Sequence, residues 1–277
     1  MNSRPRYFFV GPQKAGTSWV DAYLRWHGGV ALPAEVKETM FFEQFYERGI
    51  DWYDSLFPSL VSQETRPFVE VAPTYFSKPE VRERILTHYK NIEIIISVRE
   101  PVKRTFSSYL HEKRYGFIPP GTGFRQAVEE YHLEDPSRYF HHYSAWKNAV
   151  GKDKIHFIRI QDMRDLDGYA QQICRYLAIP YKPVPENLKK RINEADAPRN
   201  YFVASVISKM NRWSRKFGLF TMRNMLIQLG LKKFFYSSGK GVPEELKKED
   251  REWLNQHYLR EDWIRFEAVL LADKRDS

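Results

Sequence analysis

The chain has 277 residues, of which 42% are hydrophobic and 16% aromatic, and a net charge of +9. That composition excludes a disordered polymer and supports a large buried core, and no apolar run approaches the length of a membrane-spanning helix. Cys174 is the single cysteine, which excludes an intrachain disulfide and reads as a small buried hydrophobe suited to a reducing cytoplasm.

The N-terminal MNSRPR passes directly into an apolar run, Tyr7–Val10, with no segment resembling a signal peptide before it. That run predicts a buried strand. Gly11-Pro12 stops it, Gly16 supplies conformational freedom, and Thr17-Ser18 opens a helix carrying Trp19, Val20, Tyr23, Leu24 and Trp26 on an apolar face. A strand, a glycine loop and a helix N-terminus make an anion cradle for phosphate or sulfate. The spacing of Gly11 and Gly16 matches the nucleotide P-loop, but Thr17 stands where that loop has its lysine, and the lysine lies inside the loop as Lys14.

Beyond Val30–Pro33 comes EVKETMFF, Glu35–Phe42, and then Gly49–Tyr53 with Leu56-Phe57-Pro58, a short aromatic helix. The aromatic residues Phe41, Phe42, Phe45, Tyr46, Trp52 and Tyr115 suit either a cleft lining or a core. Phe68–Ala72 predicts a second strand, Pro79–Tyr89 a helix with proline in its first turn, and Glu93–Val98 a third strand. Pro101 starts a helix to about Arg114, followed by a loop, Gly116–Gly123. Phe124–His132 and Ser137–Val150 read as helices, Ile155–Ile160 as a strand and Leu166–Leu177 as an amphipathic helix. Pro180–Pro185 reads as a linker, and helices are expected over 201–217, 221–230, 243–258 and 261–271.

Strands alternating with helices predict an α/β, P-loop-like three-layer fold: a central parallel sheet flanked by helices, with ligands at the carboxyl ends of the strands. One domain is expected over 1–277, with an α/β core over 1–185 and a helical C-terminal layer over 186–277. Between Arg199 and Lys240 there are nine Lys or Arg and no Asp or Glu, so this segment holds the entire charge excess. Such a stretch attracts a nucleotide, an acidic substrate or an anionic membrane surface. Its interleaved Trp213, Phe217, Phe220, Phe234 and Phe235 suit either an interfacial helix or a basic layer over the core.

GPQKAGTSW resembles the 5′-phosphosulfate loop of sulfotransferases that use 3′-phosphoadenosine 5′-phosphosulfate (PAPS). The likeness is greatest to the heparan N- and 3-O-sulfotransferase branch and its bacterial relatives. The resemblance covers Tyr7 to about Tyr115. It implies that Lys14, Ala15, Gly16, Thr17 and Ser18 hold the donor, with Lys14 stabilising the bridging oxygen as the sulfur–oxygen bond breaks. It also implies that Arg99, leaving a strand end, and Ser107, eight residues on, grip the 3′-phosphate. In KETMFF it points to Glu38 as the base that activates the acceptor, and His111, four residues past Ser107 on the same helix face, is the second candidate. Ser237–Gly241 resembles a late loop that closes over the 3′-phosphate, which assigns Lys240 and Gly241 to the donor, although Val242 replaces the arginine of that loop.

Val71 stands where the heparan enzymes carry a lysine near the acceptor, and Gln161-Asp162 replaces their usual Glu-Asp. The implied reaction moves a sulfuryl group from PAPS to a hydroxyl or amine of a sugar, natural product or lipid-like acceptor, releasing adenosine 3′,5′-bisphosphate (PAP) without a metal. Acceptor partners are a small molecule or glycan, with an anionic membrane touching 199–240 and no nucleic acid. Two alternatives stand beside it. A P-loop kinase would use Glu70 for magnesium, and a non-enzymatic protein would bind membrane or nucleic acid through the basic segment.

Overall fold

The computed structural model describes residues 6–57, 66–189 and 244–276, with side chains to 273. The basic segment 199–240, Lys240 and Gly241, and the helices expected over 201–217 and 221–230 lie outside the described residues. The chain falls into two units. The first comprises residues 1–100, 138–192 and 261–277, the second 101–137 and 193–260.

The first unit is an α/β sandwich around a four-stranded parallel sheet. Strands β1 (Arg6–Gly11), β2 (Phe68–Val71), β3 (Ile92–Val98) and β4 (Ile155–Arg159) lie in the order β2-β1-β3-β4. Every residue of β1 is buried, as expected of a parallel strand covered on both faces. Side-chain alternation divides it. Phe8 and Val10 join a core with Ile94, Ile96 and Phe157, and Tyr7 and Phe9 join another with Val69, Ile95 and Ile158.

The second of these cores is closed by α1 (Thr17–His27), through Trp19, Val20, Tyr23 and Leu24, by α7 (Leu166–Tyr176), through Tyr169, Ala170, Ile173 and Cys174, and by Leu188 of the short α8 (Glu186–Lys189). Cys174 is 2% exposed, and burial pushes its thiol pKa up, consistent with a packing residue. Trp26 departs from the expected buried face and is 44% exposed. The first core is closed by α3 (Pro79–His88), α6 (Tyr139–Val150) and the last helix, α10 (Arg260–Asp276). A short helix, α2 (Ile50–Ser55), and a π-turn over Phe41–Phe45 complete that layer. Phe41 and Phe42 are fully buried there and do not line a cleft.

Each sheet edge has one position engaged from outside the sheet. Ala31 bridges β2 by donating to the Pro67 oxygen at 2.9 Å and accepting from Val69 N at 2.9 Å. At β4 the outward Phe157 carbonyl accepts from Gln172 Nε2 (3.3 Å) and Tyr176 Oη (3.2 Å).

The second unit is helical: α4 (Pro101–Arg114), α5 (Phe124–Tyr131) and α9 (Lys248–Leu254), the last running into a π-turn over Asn255–Leu259. The described part of the helix expected over 243–258 therefore begins at 248. Val102, Tyr109, Phe124, Val128, Leu254 and Leu259 form its core. Arg104 is 1% exposed and donates to Ser137 Oγ and the Leu133 carbonyl. Buried guanidinium groups need such partners.

Candidate active site

The loop between β1 and α1 is shaped by three residues in left-handed backbone conformations: Gly11 (φ 103°), Lys14 (φ 70°) and Gly16 (φ 89°). At Gly11 the constraint is steric as well. A Cβ there would lie 2.3 Å from the Pro73 carbonyl oxygen, so the strand end and the segment after β2 approach as only glycine allows. The pairing of β1 with β3 shifts register between Phe9 and Gly11, which frees the chain from the sheet where the loop begins. Gly16 caps α1, and its carbonyl accepts from Trp19 N at 3.0 Å and Val20 N at 3.4 Å. The amide groups of the first helical turn and the dipole's positive end are thereby presented at the carboxyl end of β1.

Of the loop residues, Ala15 and Thr17 are buried, Lys14 and Gly16 half-buried and Ser18 exposed. Tyr169 lies against the loop with its hydroxyl 3.7 Å from the position of a Gly16 Cβ, so one side of the cradle is backed by protein.

Arg99 follows β3 and points its guanidinium at this loop. Nη1 donates to the Lys14 carbonyl at 2.7 Å, and the Arg99 amide donates to Tyr139 Oη at 3.0 Å. Burial draws its pKa down from the ordinary arginine value, but an arginine remains charged at any working pH. A cation beside an anion cradle, with only Nη1 of its guanidinium engaged among the described residues, suits a second phosphate.

Glu38 lies in the same unit, half-buried, with Oε1 3.3 Å from Lys37 Nζ. Lys37 Nζ is also 3.3 Å from Ser18 Oγ in the cradle. The backbone beside Glu38 is clamped by a carboxylate that the sequence offered only as a metal ligand. Glu70 is 1% exposed. Its Oε1 accepts from Thr39 N (3.2 Å), Thr39 Oγ1 (2.6 Å) and Tyr75 Oη (3.2 Å), while Oε2 accepts from Tyr53 Oη at 2.8 Å. Burial raises the Glu70 pKa although these hydrogen bonds pull the other way. Both oxygens accept from protein donors, so Glu70 works as a scaffold beside Glu38.

Past Glu38, Glu43 pairs with Lys78 at 2.6 Å and accepts from Thr74 Oγ1, and Arg84 donates to the Phe42 carbonyl at 2.7 Å. These contacts fix the π-turn that begins three residues after Glu38.

The two remaining sequence candidates belong to the helical unit. Ser107 and His111 are half-buried on α4, one helical turn apart, and His111 packs against Tyr115 with the rings tilted and their centroids 4.6 Å apart. The structure thus brings Lys14, Ala15, Gly16, Thr17, Ser18, Arg99 and Glu38 together within one unit. Sequence reading missed Lys37 and the Glu70 clamp. A lysine adjacent to Glu38 was visible, but its reach to Ser18 depends on a fold that brings residues 18 and 37 together.

Comparison with known proteins gives a consistent result. The model of the sulfotransferase domain family matches residues 4–198. The bifunctional heparan sulfate N-deacetylase/N-sulfotransferase of Drosophila melanogaster is 30% identical over 245 residues, covering 76% of this chain and 23% of that protein. Human heparan sulfate glucosamine 3-O-sulfotransferase 6 is 36% identical over 153 residues, covering 49% and 44% respectively. A membrane-associated sulfotransferase, kil1, of Dictyostelium discoideum is 34% identical over 106 residues, 38% of this chain and 22% of that one. The chain therefore spans less than half the length of each. The crystal structure of a sulfotransferase from Alicyclobacillus acidocaldarius shares the fold, with a TM-score of 0.58 and 22% identity over 79% of this chain and 97% of that one.

Proposed function

This chain belongs to the sulfotransferase family, PAPS-dependent transferases, and from that premise we propose that it moves a sulfuryl group from PAPS to a hydroxyl or amine of a glycan or small-molecule acceptor. The observation that carries the donor assignment is the Arg99 guanidinium bonded to the Lys14 carbonyl beside the Gly11–Gly16 loop. In this reading Lys14, Ala15, Gly16, Thr17 and Ser18 hold the 5′ end of the nucleotide and Arg99 its 3′-phosphate. Ser107, Lys240 and Gly241 keep the donor-binding roles that the resemblance gives them.

PAPS supplies an activated sulfuryl group on a phosphosulfate anhydride. The acceptor oxygen or nitrogen forms a bond to sulfur, the bond from sulfur to the bridging phosphate oxygen breaks, and PAP leaves with that oxygen. Lys14 neutralises the charge growing on it. The acceptor proton goes to Glu38, whose backbone is held by the Thr39–Glu70 clamp. His111 is the alternative base. An acceptor outside the heparan class fits the Val71 position, and the cytoplasm and a membrane contact through 199–240 complete the proposal.

The test is a thermal-shift titration with PAP, and with ATP in the presence and absence of magnesium. A ligand selective for the folded state raises its melting temperature. The proposal requires a metal-independent shift with PAP that is lost in Arg99→Ala. A shift with magnesium-ATP alone would overturn it in favour of a kinase.

A further inference from the structure

Lys37 lies between the two halves of the site. Its ammonium is 3.3 Å from Ser18 Oγ, in the first turn of α1, and 3.3 Å from Glu38 Oε1. Ser18 belongs to the cradle that faces the donor, and Glu38 is the group that faces the acceptor. In an in-line transfer the sulfur travels between those two places, so a cation spanning them stands where the sulfuryl group must pass. We propose that Lys37 contacts the sulfuryl oxygens directly, binding the transferring group as distinct from the nucleotide that carries it. This inference rests on the donor reading given under the proposed function.

The chemistry of the contact supports it. Charge-assisted N–H···O⁻ bonds settle at about 2.7–2.9 Å, and the Lys37–Glu38 contact is longer at 3.3 Å. An ammonium has three donors, and two are directed at Ser18 and Glu38. The side chain is 28% exposed, and that of Glu38 19%, so the pair is neither sealed in the core nor free in solvent. A sulfuryl group carries anionic oxygens and accepts the remaining donor. Because Lys37 also touches Glu38, one cation orders the base and the group that the base helps to transfer.

The experiment compares two nucleotides that differ only in the sulfuryl group. Isothermal calorimetry on the full chain measures PAP and PAPS binding to the wild type, Lys37→Met and Lys37→Arg. The expected result is that Lys37→Met weakens PAPS by about tenfold or more, the size of one charge-assisted hydrogen bond, leaves PAP within about twofold, and is partly rescued by Lys37→Arg. Equal affinity of Lys37→Met and wild type for PAPS would overturn the inference. So would an equal loss for PAP and PAPS, which would make Lys37 a prop for the loop. If the wild type binds neither nucleotide, the donor reading itself fails, a result that separates the two claims. Should Lys37→Met not fold, Lys37→Gln carries the same comparison with a neutral polar side chain.

Discussion

Arg99 reaches back from the end of β3 to the carbonyl oxygen of Lys14, 85 residues earlier, with a 2.7 Å hydrogen bond. The guanidinium therefore holds the loop from within, and the left-handed backbone at Lys14 (φ 70°) presents its carbonyl to that donor. The loop and the arginine are thereby coupled, so a change at Arg99 reaches the loop as well.

Arg99→Ala removes a strut of the loop and, on the proposed donor site, a charged contact to the nucleotide. PAP affinity should fall at least about tenfold, with turnover at saturating donor falling much less. Calorimetry beside steady-state kinetics checks it. An Arg99→Ala protein with unchanged affinity would remove Arg99 from the donor site.

Glu38→Gln keeps the shape of the side chain but cannot accept the acceptor's proton. PAP binding should stay at the wild-type level while turnover drops by about a hundredfold or more, the usual contribution of a general base. If turnover survives, His111 becomes the base, and His111→Ala is the next variant.

Glu70 gives a prediction in pH. Its pKa is raised above the reference 4.5 by burial. A raised carboxyl pKa means that stability is fully present below the unfolded-state value and is lost as pH rises through the folded-state value. Glu70→Gln does not titrate there, so its melting temperature relative to wild type should improve from about pH 4.5 upward and then level off. A flat difference across pH 4–8 would refute the assignment. Glu70→Ala, by contrast, leaves Thr39, Tyr53 and Tyr75 donors without their acceptor and should cost about 3 kcal/mol or more.

Gly11→Ala forces a Cβ to within 2.3 Å of the Pro73 carbonyl oxygen at a φ of 103°. Backbone strain and the clash together should destabilise the protein by more than about 2 kcal/mol, read as a lowered urea midpoint. Ala at Gly16 is also strained by a φ of 89°, but its tightest neighbour is the flexible Met163 sulfur at 3.2 Å, so it should be the milder of the two.

The sheet was legible because its strands are short apolar runs flanked by glycine and proline. Tyr7–Val10 and Ile94–Ile96 announce buried parallel strands without any tertiary information. The cradle was legible because glycine spacing and a helix start are local properties. Arg104 was not, since a charged residue between Lys103 and Thr105 gives no local sign that Ser137 and Leu133 will close over it. The Phe41–Phe45 turn was ambiguous for a related reason: aromatics suit a cleft and a core equally, and only the Tyr53 and Tyr75 rings packed against Phe42 decide for the core. Lys37 and Glu70 act through contacts 19 and 31 residues away in sequence, a distance over which periodicity carries no information.

The occupied Phe157 carbonyl on β4 bears on how the molecule behaves in company. An open parallel edge is a template on which another chain can add a strand, the first step of sheet-mediated aggregation. Gln172 and Tyr176 consume the acceptor that such a strand would need. Crowded together, copies of this protein find no vacant rung at that position of the ladder, because the helix that walls the core also holds its outer acceptor.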